Sequence, residues 1–163
     1  MGKSSVLKYL KEILSVDDYD IRDFDERGVP DGGGVEWHNN ETLYWLEAAN
    51  ENAKKQKSTI VCGFADPKRF WQVHNKEKHL PATLLLLNAS AETIRERLLS
   101  RHSTFESIQE INRASGVPLD KFIEDNISYA PVLHDIFKEE NSPIIDTDAK
   151  TPLEVAREIV ENL

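Results

Sequence analysis

Met1-Gly2-Lys3-Ser4-Ser5 runs directly into Val6-Leu7-Lys8-Tyr9-Leu10-Lys11-Glu12-Ile13-Leu14, and the reading of this stretch decides the fold. Gly-Lys-Ser is the closing half of the phosphate-cradling pattern G-x-x-x-x-G-K-[ST]. In that pattern glycines free backbone N–H groups for phosphate oxygens, Lys reaches the outer phosphates and Ser holds magnesium. Val6, Leu7, Leu10, Ile13 and Leu14 recur at helical spacing, so a helix with one apolar stripe follows at once. Its N-terminal end adds partial positive charge to the same place. The opening half of the pattern, a buried strand and a Gly-rich turn, is not among these residues. Lys-Ser-Ser also suits an ordinary solvated helix start, so the rest of the chain must decide.

Moving outward, Tyr19, Ile21 and Phe24 suggest a short strand with an acidic exit at Asp23, Asp25 and Glu26. Gly28 to Gly34 reads as a mobile loop, because three successive glycines have little conformational restriction. A helix over about residues 36–57 has Leu43, Leu46, Ala49 and Ala53 on one face. Residues 58–63 have the β-branched apolar character of a strand buried on both faces. A short helix over residues 68–76 follows, then a second buried strand over residues 82–88. Ser90 caps a helix over residues 91–102, on which Arg97 and Arg101 project one turn apart. Residues 103–118 are polar, with a short helix near residues 108–113 closed by Gly116. From Asp120 a further helix runs toward Pro131, which should kink or restart it. Residues 142–147 form a last strand, and Thr151-Pro152-Leu153-Glu154 is a capping box opening a final amphipathic helix.

Helices and strands thus alternate, which builds a parallel sheet covered on both faces in a single domain over residues 1–163. With 163 residues and a formal charge of −9, the chain can bury a substantial core. The acidic balance argues against nucleic acid as principal partner, since phosphate backbones are bound mainly by cations. No apolar run is long enough to span a bilayer, which excludes a membrane protein of helical type. The single Cys62 lies in an apolar run and suits a reducing compartment, the cytosol, as a buried small hydrophobe. His38, His74, His79, His102 and His134 have no metal-ligand spacing, and Trp37, Trp45 and Trp71 read as packing residues.

Taken in order, Gly2-Lys3-Ser4-Ser5, Asp23-Phe24-Asp25-Glu26, the Arg97-Leu98-Leu99-Ser100-Arg101 run before a polar lid-like segment at about residues 102–118, and Ile144-Ile145-Asp146-Thr147 before Thr151-Pro152 resemble the P-loop kinases of small molecules and nucleotides. That group includes adenylate, shikimate and gluconate kinases. The resemblance spans essentially the whole chain and implies a three-layer α/β/α fold with a parallel sheet, P-loop NTPase-like, lacking the usual first strand. It implies ATP and Mg²⁺ as cofactors and transfer of a γ-phosphoryl to an unidentified small metabolite or nucleotide. Gly2, Lys3, Ser4 and Ser5 would hold the phosphates, and Ser4 the metal. Lys3, Arg97 and Arg101 would face the transferring group, where charge neutralisation matters most. Asp25 would orient the acceptor hydroxyl or take its proton, and Thr147 and Asp148 would lie near the adenine.

Plainer roles stand beside these: a solvated helix face for Arg97 and Arg101, a turn for Asp25, a polar connection for Asp148. The sequence departs from the adenylate kinases, which end their third strand in Asp-Gly-Phe-Pro-Arg; here Cys62-Gly63-Phe64-Ala65-Asp66-Pro67-Lys68-Arg69 stands. That makes a nucleoside monophosphate acceptor doubtful. In the family the first strand lies centrally, so its loss predicts either direct pairing of the flanking strands or filling of the gap by another chain. A truncated cradle also implies a chain that is inactive as it stands. The rival readings are a nucleotide-binding or regulatory module without phosphotransfer, and an interaction domain without nucleotide. A homo-oligomer is left open.

Overall fold

The computed structural model describes residues 3–63 and 66–163, with side chains from Ser5 onward. Helix α1 (Lys3–Ile13) leads to strand β1 (Tyr19–Asp23) and helix α2 (Gly34–Ala53). Strand β2 (Ser58–Cys62), helix α3 (Pro67–Val73) and strand β3 (Leu86–Asn88) follow. Helices α4 (Ala91–Arg101), α5 (Phe105–Ser115) and α6 (Leu119–Glu139), strand β4 (Ile144–Asp146) and helix α7 (Pro152–Glu161) complete the order. The chain is mixed α/β, as the alternation predicts. Its pairing is parallel throughout the described strands, β1 with β2 in the register Ile21↔Ile60 and β3 with β4 in the register Leu87↔Ile145.

The sheet is not continuous. Among the described residues strand pairing joins β1 to β2 and β3 to β4, and none joins β2 to β3. Closure of the gap by direct pairing, one of the two outcomes expected above, does not occur. What unites the halves is a core laid across them. Val6, Leu7 and Leu10 of α1 pack with Val155, Ala156 and Ile159 of α7 over Ile21 of β1 and Ile145 of β4. Leu10 and Ala156 are wholly buried, and burying a side chain the size of Leu10 is worth about 1.5–3 kcal/mol. A second cluster, Ala89, Ile94, Leu98 and Ile123, joins α4 to α6.

Local chemistry sets several element ends as the sequence predicts. Ser90 accepts the Thr93 N–H, and Thr151 and Glu154 close a reciprocal capping box with Pro152 in the first turn. Other elements differ. Strand β3 covers three residues, not the seven from 82 to 88, because residues 82–85 have no neighbouring strand among the described residues to pair with. The buried face of α2 carries Glu41, Thr42, Trp45 and Leu46, and Leu43 is exposed. The large indole of Trp45, bonded to the Phe24 carbonyl, and the pairing of Glu41 with Arg27 turn the helix away from the all-aliphatic face, and Thr42 satisfies its buried hydroxyl on the His38 carbonyl of the same helix. Helix α5 begins earlier than expected, at a Thr104–Ser107 capping box. Helix α6 runs without interruption through Pro131, so the expected restart is absent.

The glycine loop meets α5. Gly32 donates its N–H to the Arg113 carbonyl at 3.0 Å, and the Arg113 guanidinium pairs with Asp31. Gly33 leads into α2 at φ 51° and ψ −95°, a conformation that side chains disfavour. Three glycines in succession therefore serve a sharp helix entry, and the loop they belong to contacts the end of α5.

Candidate functional site

The first turn of α1 lies at the C-terminal end of β4. Ser5 and Val6 share a cavity of about 500 Å³ with Arg97 and Arg101 of α4, Thr147 just after β4, and Lys150. The helical pattern that buries Ile94 and Leu98 leaves Arg97 and Arg101 on one side of α4, one turn apart and facing α1. Three cations thus border the opening turn of a helix, whose backbone N–H groups lack helical partners. An anion placed there meets both the helix dipole and the side-chain charges.

Most of these groups already have partners. Arg97 donates through Nη1 to the Thr147 hydroxyl at 2.8 Å and through Nη2 to the Thr147 carbonyl at 2.7 Å. The same hydroxyl donates to the Asn88 carbonyl at 2.8 Å, and Thr147 is 2% exposed. Arg97 therefore clamps the end of β4 to β3 and α4. Lys150 pairs with Glu158 of α7. Arg101 makes no hydrogen bond or ion pair with the other described residues. Asp148 accepts the Ser90 N–H at 2.9 Å, and that backbone bond holds its carboxyl below the usual aspartate range, with help from the Thr93 and Ser90 hydroxyls and the charge of Arg97. Asp148 ties the last loop to the start of α4 and does not line the cavity.

The remaining expected residues are placed as follows. Gly2 lies outside the described residues, as do the side chains of Lys3 and Ser4; their backbone opens α1. Asp25 is exposed in the turn after β1, with its N–H on the Asp23 carboxylate at 3.3 Å, and it does not line the 500 Å³ cavity. The structure brings together Ser5, Arg97, Arg101 and Thr147, then, and leaves Asp25 and Asp148 apart from them. Glu26 forms an ion pair with Arg22, which also holds Asp20. Asp66, beside the departure from the adenylate kinase motif, is buried and fully used. It caps α3 through the N–H groups of Lys68 and Arg69 and accepts the Tyr129 hydroxyl at 2.8 Å. Among the described residues no group of three or more His, Cys, Asp or Glu side chains could hold a metal ion.

One cluster escapes the sequence reading. Phe24 after β1 stacks near His38 with centroids 4.8 Å apart and meets Trp37 edge-on at 5.8 Å. Trp45 donates its indole N–H to the Phe24 carbonyl at 3.2 Å. Next to it Glu41 is 6% exposed, with one carboxylate oxygen 3.4 Å from Arg27 and the other without a partner among the described residues. The Arg27 guanidinium in turn lies 3.7 Å over the Tyr44 ring. The signal was the spacing of Trp37, Glu41 and Trp45, each four residues from the next. A charged residue in such a row is ordinarily assigned to solvent, which hid it.

Among the described residues no helix is long and apolar enough to cross a membrane. No model of a known protein family matches the sequence, and no curated protein matches it either.

Proposed function

We propose that the chain is a P-loop kinase-like domain that binds the phosphates of ATP at the start of α1 and, with a complete cradle, passes the γ-phosphoryl to a small metabolite or nucleotide in the cytosol. The observation that carries this reading is the shared cavity of the α1 first turn with Arg97, Arg101 and Lys150. Phosphoryl transfer requires little covalent chemistry from the protein, and fixed cations around the equatorial oxygens supply most of what is needed. The donor set fits the anionic part of such a ligand. Magnesium would arrive on the phosphate oxygens, with the Ser4 hydroxyl as its protein ligand by motif, since no carboxylate cluster accompanies the site among the described residues. In this reading Arg101 reaches the transferring group, Arg97 positions Thr147, and the three-layer arrangement of the kinases is the parent architecture.

A second reading, nucleotide binding without transfer, is favoured by two specific placements. Arg97 is spent on Thr147, and Asp25, the acid expected to orient an acceptor, stands outside the cavity, whose acidic lining residue is Glu96 of α4. The two separate in one experiment. A ligand that binds only the folded state raises the melting temperature by mass action. Phosphotransfer predicts a shift with MgATP, ADP release with some member of an acceptor panel, and loss of that release in Arg101→Ala with the shift retained. A shift without release supports the binding module. No shift at millimolar MgATP removes both and leaves an interaction domain.

A further inference from the structure

A second cavity, of about 690 Å³, separates β2 from β3. Its lining is informative because it is consecutive. Every residue from 58 to 63 borders it on one side and every residue from 80 to 89 on the other. Side chains alternate between the faces of a strand, so a cavity over a face touches every second residue. One that touches each residue in turn faces the backbone edge. Both long walls of this cavity are therefore main-chain edges, and along residues 59–61 and 82–85 those edges have no neighbouring strand on the cavity side among the described residues.

The two edges run in the same direction. Helix α1 starts beside Thr147, at the C-terminal end of β4, and it ends where Ser15 accepts the Tyr19 N–H, at the N-terminal end of β1. Since β4 and β1 meet opposite ends of one helix in opposite senses, they are co-directional, and their parallel partners β3 and β2 run with them. The other two walls are apolar helix surface: Val6 and Leu10 of α1 with Ile159 of α7, and Trp45 of α2 with Leu133 and Phe137 of α6. Two co-directional edges between two apolar layers define a slot for one extended chain that is parallel to both and apolar on both faces.

We infer that this slot docks a single extended apolar polypeptide segment, separate from these 163 residues, which inserts parallel between residues 58–61 of β2 and residues 82–86 before and within β3, and makes one sheet of the two. Five residues of strand span about 17 Å, the length of β2, so a segment of about five or six residues fills it. Residues 82–85, which line the slot without strand structure, become strand when it enters. Backbone bonds to the edges fix its direction, and the apolar walls select Val, Ile and Leu at successive positions, as in strand addition to sheet edges generally. Nothing in this inference depends on phosphate binding at α1.

The test is hydrogen exchange on the full chain with a capped Lys-Lys-Val-Ile-Val-Leu-Val-Ile peptide, set against the same peptide N-methylated at alternate apolar residues. The parent peptide is expected to slow exchange in residues 59–61 and 83–86 saturably, by about tenfold or more, and the methylated peptide, which retains the apolar surface but cannot complete the ladders, to leave it unchanged. No slowing at saturating peptide overturns the inference. So does equal slowing by the methylated peptide, which makes the slot a non-specific apolar groove. Protection that appears without peptide and grows with protein concentration also overturns it, because copies of this chain then close the slot on one another.

Discussion

Replacing Thr147 by valine tests the clamp that holds the end of β4. Valine keeps the shape of the side chain and opens no cavity, so the effect is confined to the hydroxyl. That hydroxyl accepts from Arg97 at 2.8 Å and donates to the Asn88 carbonyl at 2.8 Å. Neither partner is stranded by its loss. Arg97 is only half-buried and retains the Thr147 carbonyl, and Asn88 retains the Thr147 N–H at 3.0 Å. With no orphaned group, each lost bond counts at its net value of about 1 kcal/mol, giving roughly 2 kcal/mol in all. For a chain of 163 residues that corresponds to a fall in melting temperature of about 4–8 °C. Thr147→Ser keeps both bonds and loses one buried methyl group, at about 1 kcal/mol. Urea unfolding of the three proteins should rank them wild type, serine, valine. A valine variant as stable as the serine variant refutes the clamp.

Three further outcomes follow from the same geometry. A Cβ added to Gly63 would sit 2.1 Å from Cβ and 2.7 Å from Cγ of Phe24, so Gly63→Ala should cost about 1–3 kcal/mol by calorimetry, and a variant of wild-type stability would show that Phe24 is not packed there. Asp148 and Glu154 have folded-state pKa values below their usual ones, chiefly through the N–H groups of Ser90 and Thr151. Their stabilisation is therefore complete above the ordinary carboxylate range and is lost as pH falls through the lowered values; melting temperature should drop below about pH 4, less steeply in Asp148→Asn, and an unchanged acid slope in that variant contradicts the Ser90 tie. Burial, then the bond to Asp66, pushes the Tyr129 phenol above its ordinary pKa, so ultraviolet titration should show a tyrosine step displaced to high pH, and Tyr129→Phe should remove that step at a cost of about 1.5–3 kcal/mol, because the buried Asp66 carboxylate loses a donor; a displaced step that survives the substitution assigns it elsewhere.

Much of the fold was legible in the residues because it is locally encoded. Thr151-Pro152-Leu153-Glu154 carries its own helix start, and Ser90 carries another. The apolar stripe Val6-Leu7-Leu10 specifies a buried helix face wherever the helix finds a partner. Arg97 and Arg101 one turn apart had to share a side of α4, and they do. What periodicity does not carry is the identity of a residue's partner. Arg97 could be placed on a helix face, but not assigned to Thr147, fifty positions away. Glu41 was hidden for the same reason, because burial of a carboxylate is settled by Arg27 and the aromatic residues around it.

The sequence alone therefore determined the alternation of helices and strands, the helix caps, and the shared face of Arg97 and Arg101 on α4. These depend on chemistry within a few residues, which is readable in order. Only the tertiary structure decided that the strands form two pairs with a strand-wide apolar slot between them, that the glycine loop contacts the end of α5, and that Asp25 stands outside the cation-lined cavity. Each of these turns on which backbone edges and side chains meet across long stretches of chain, and that is settled by the packing of the whole molecule.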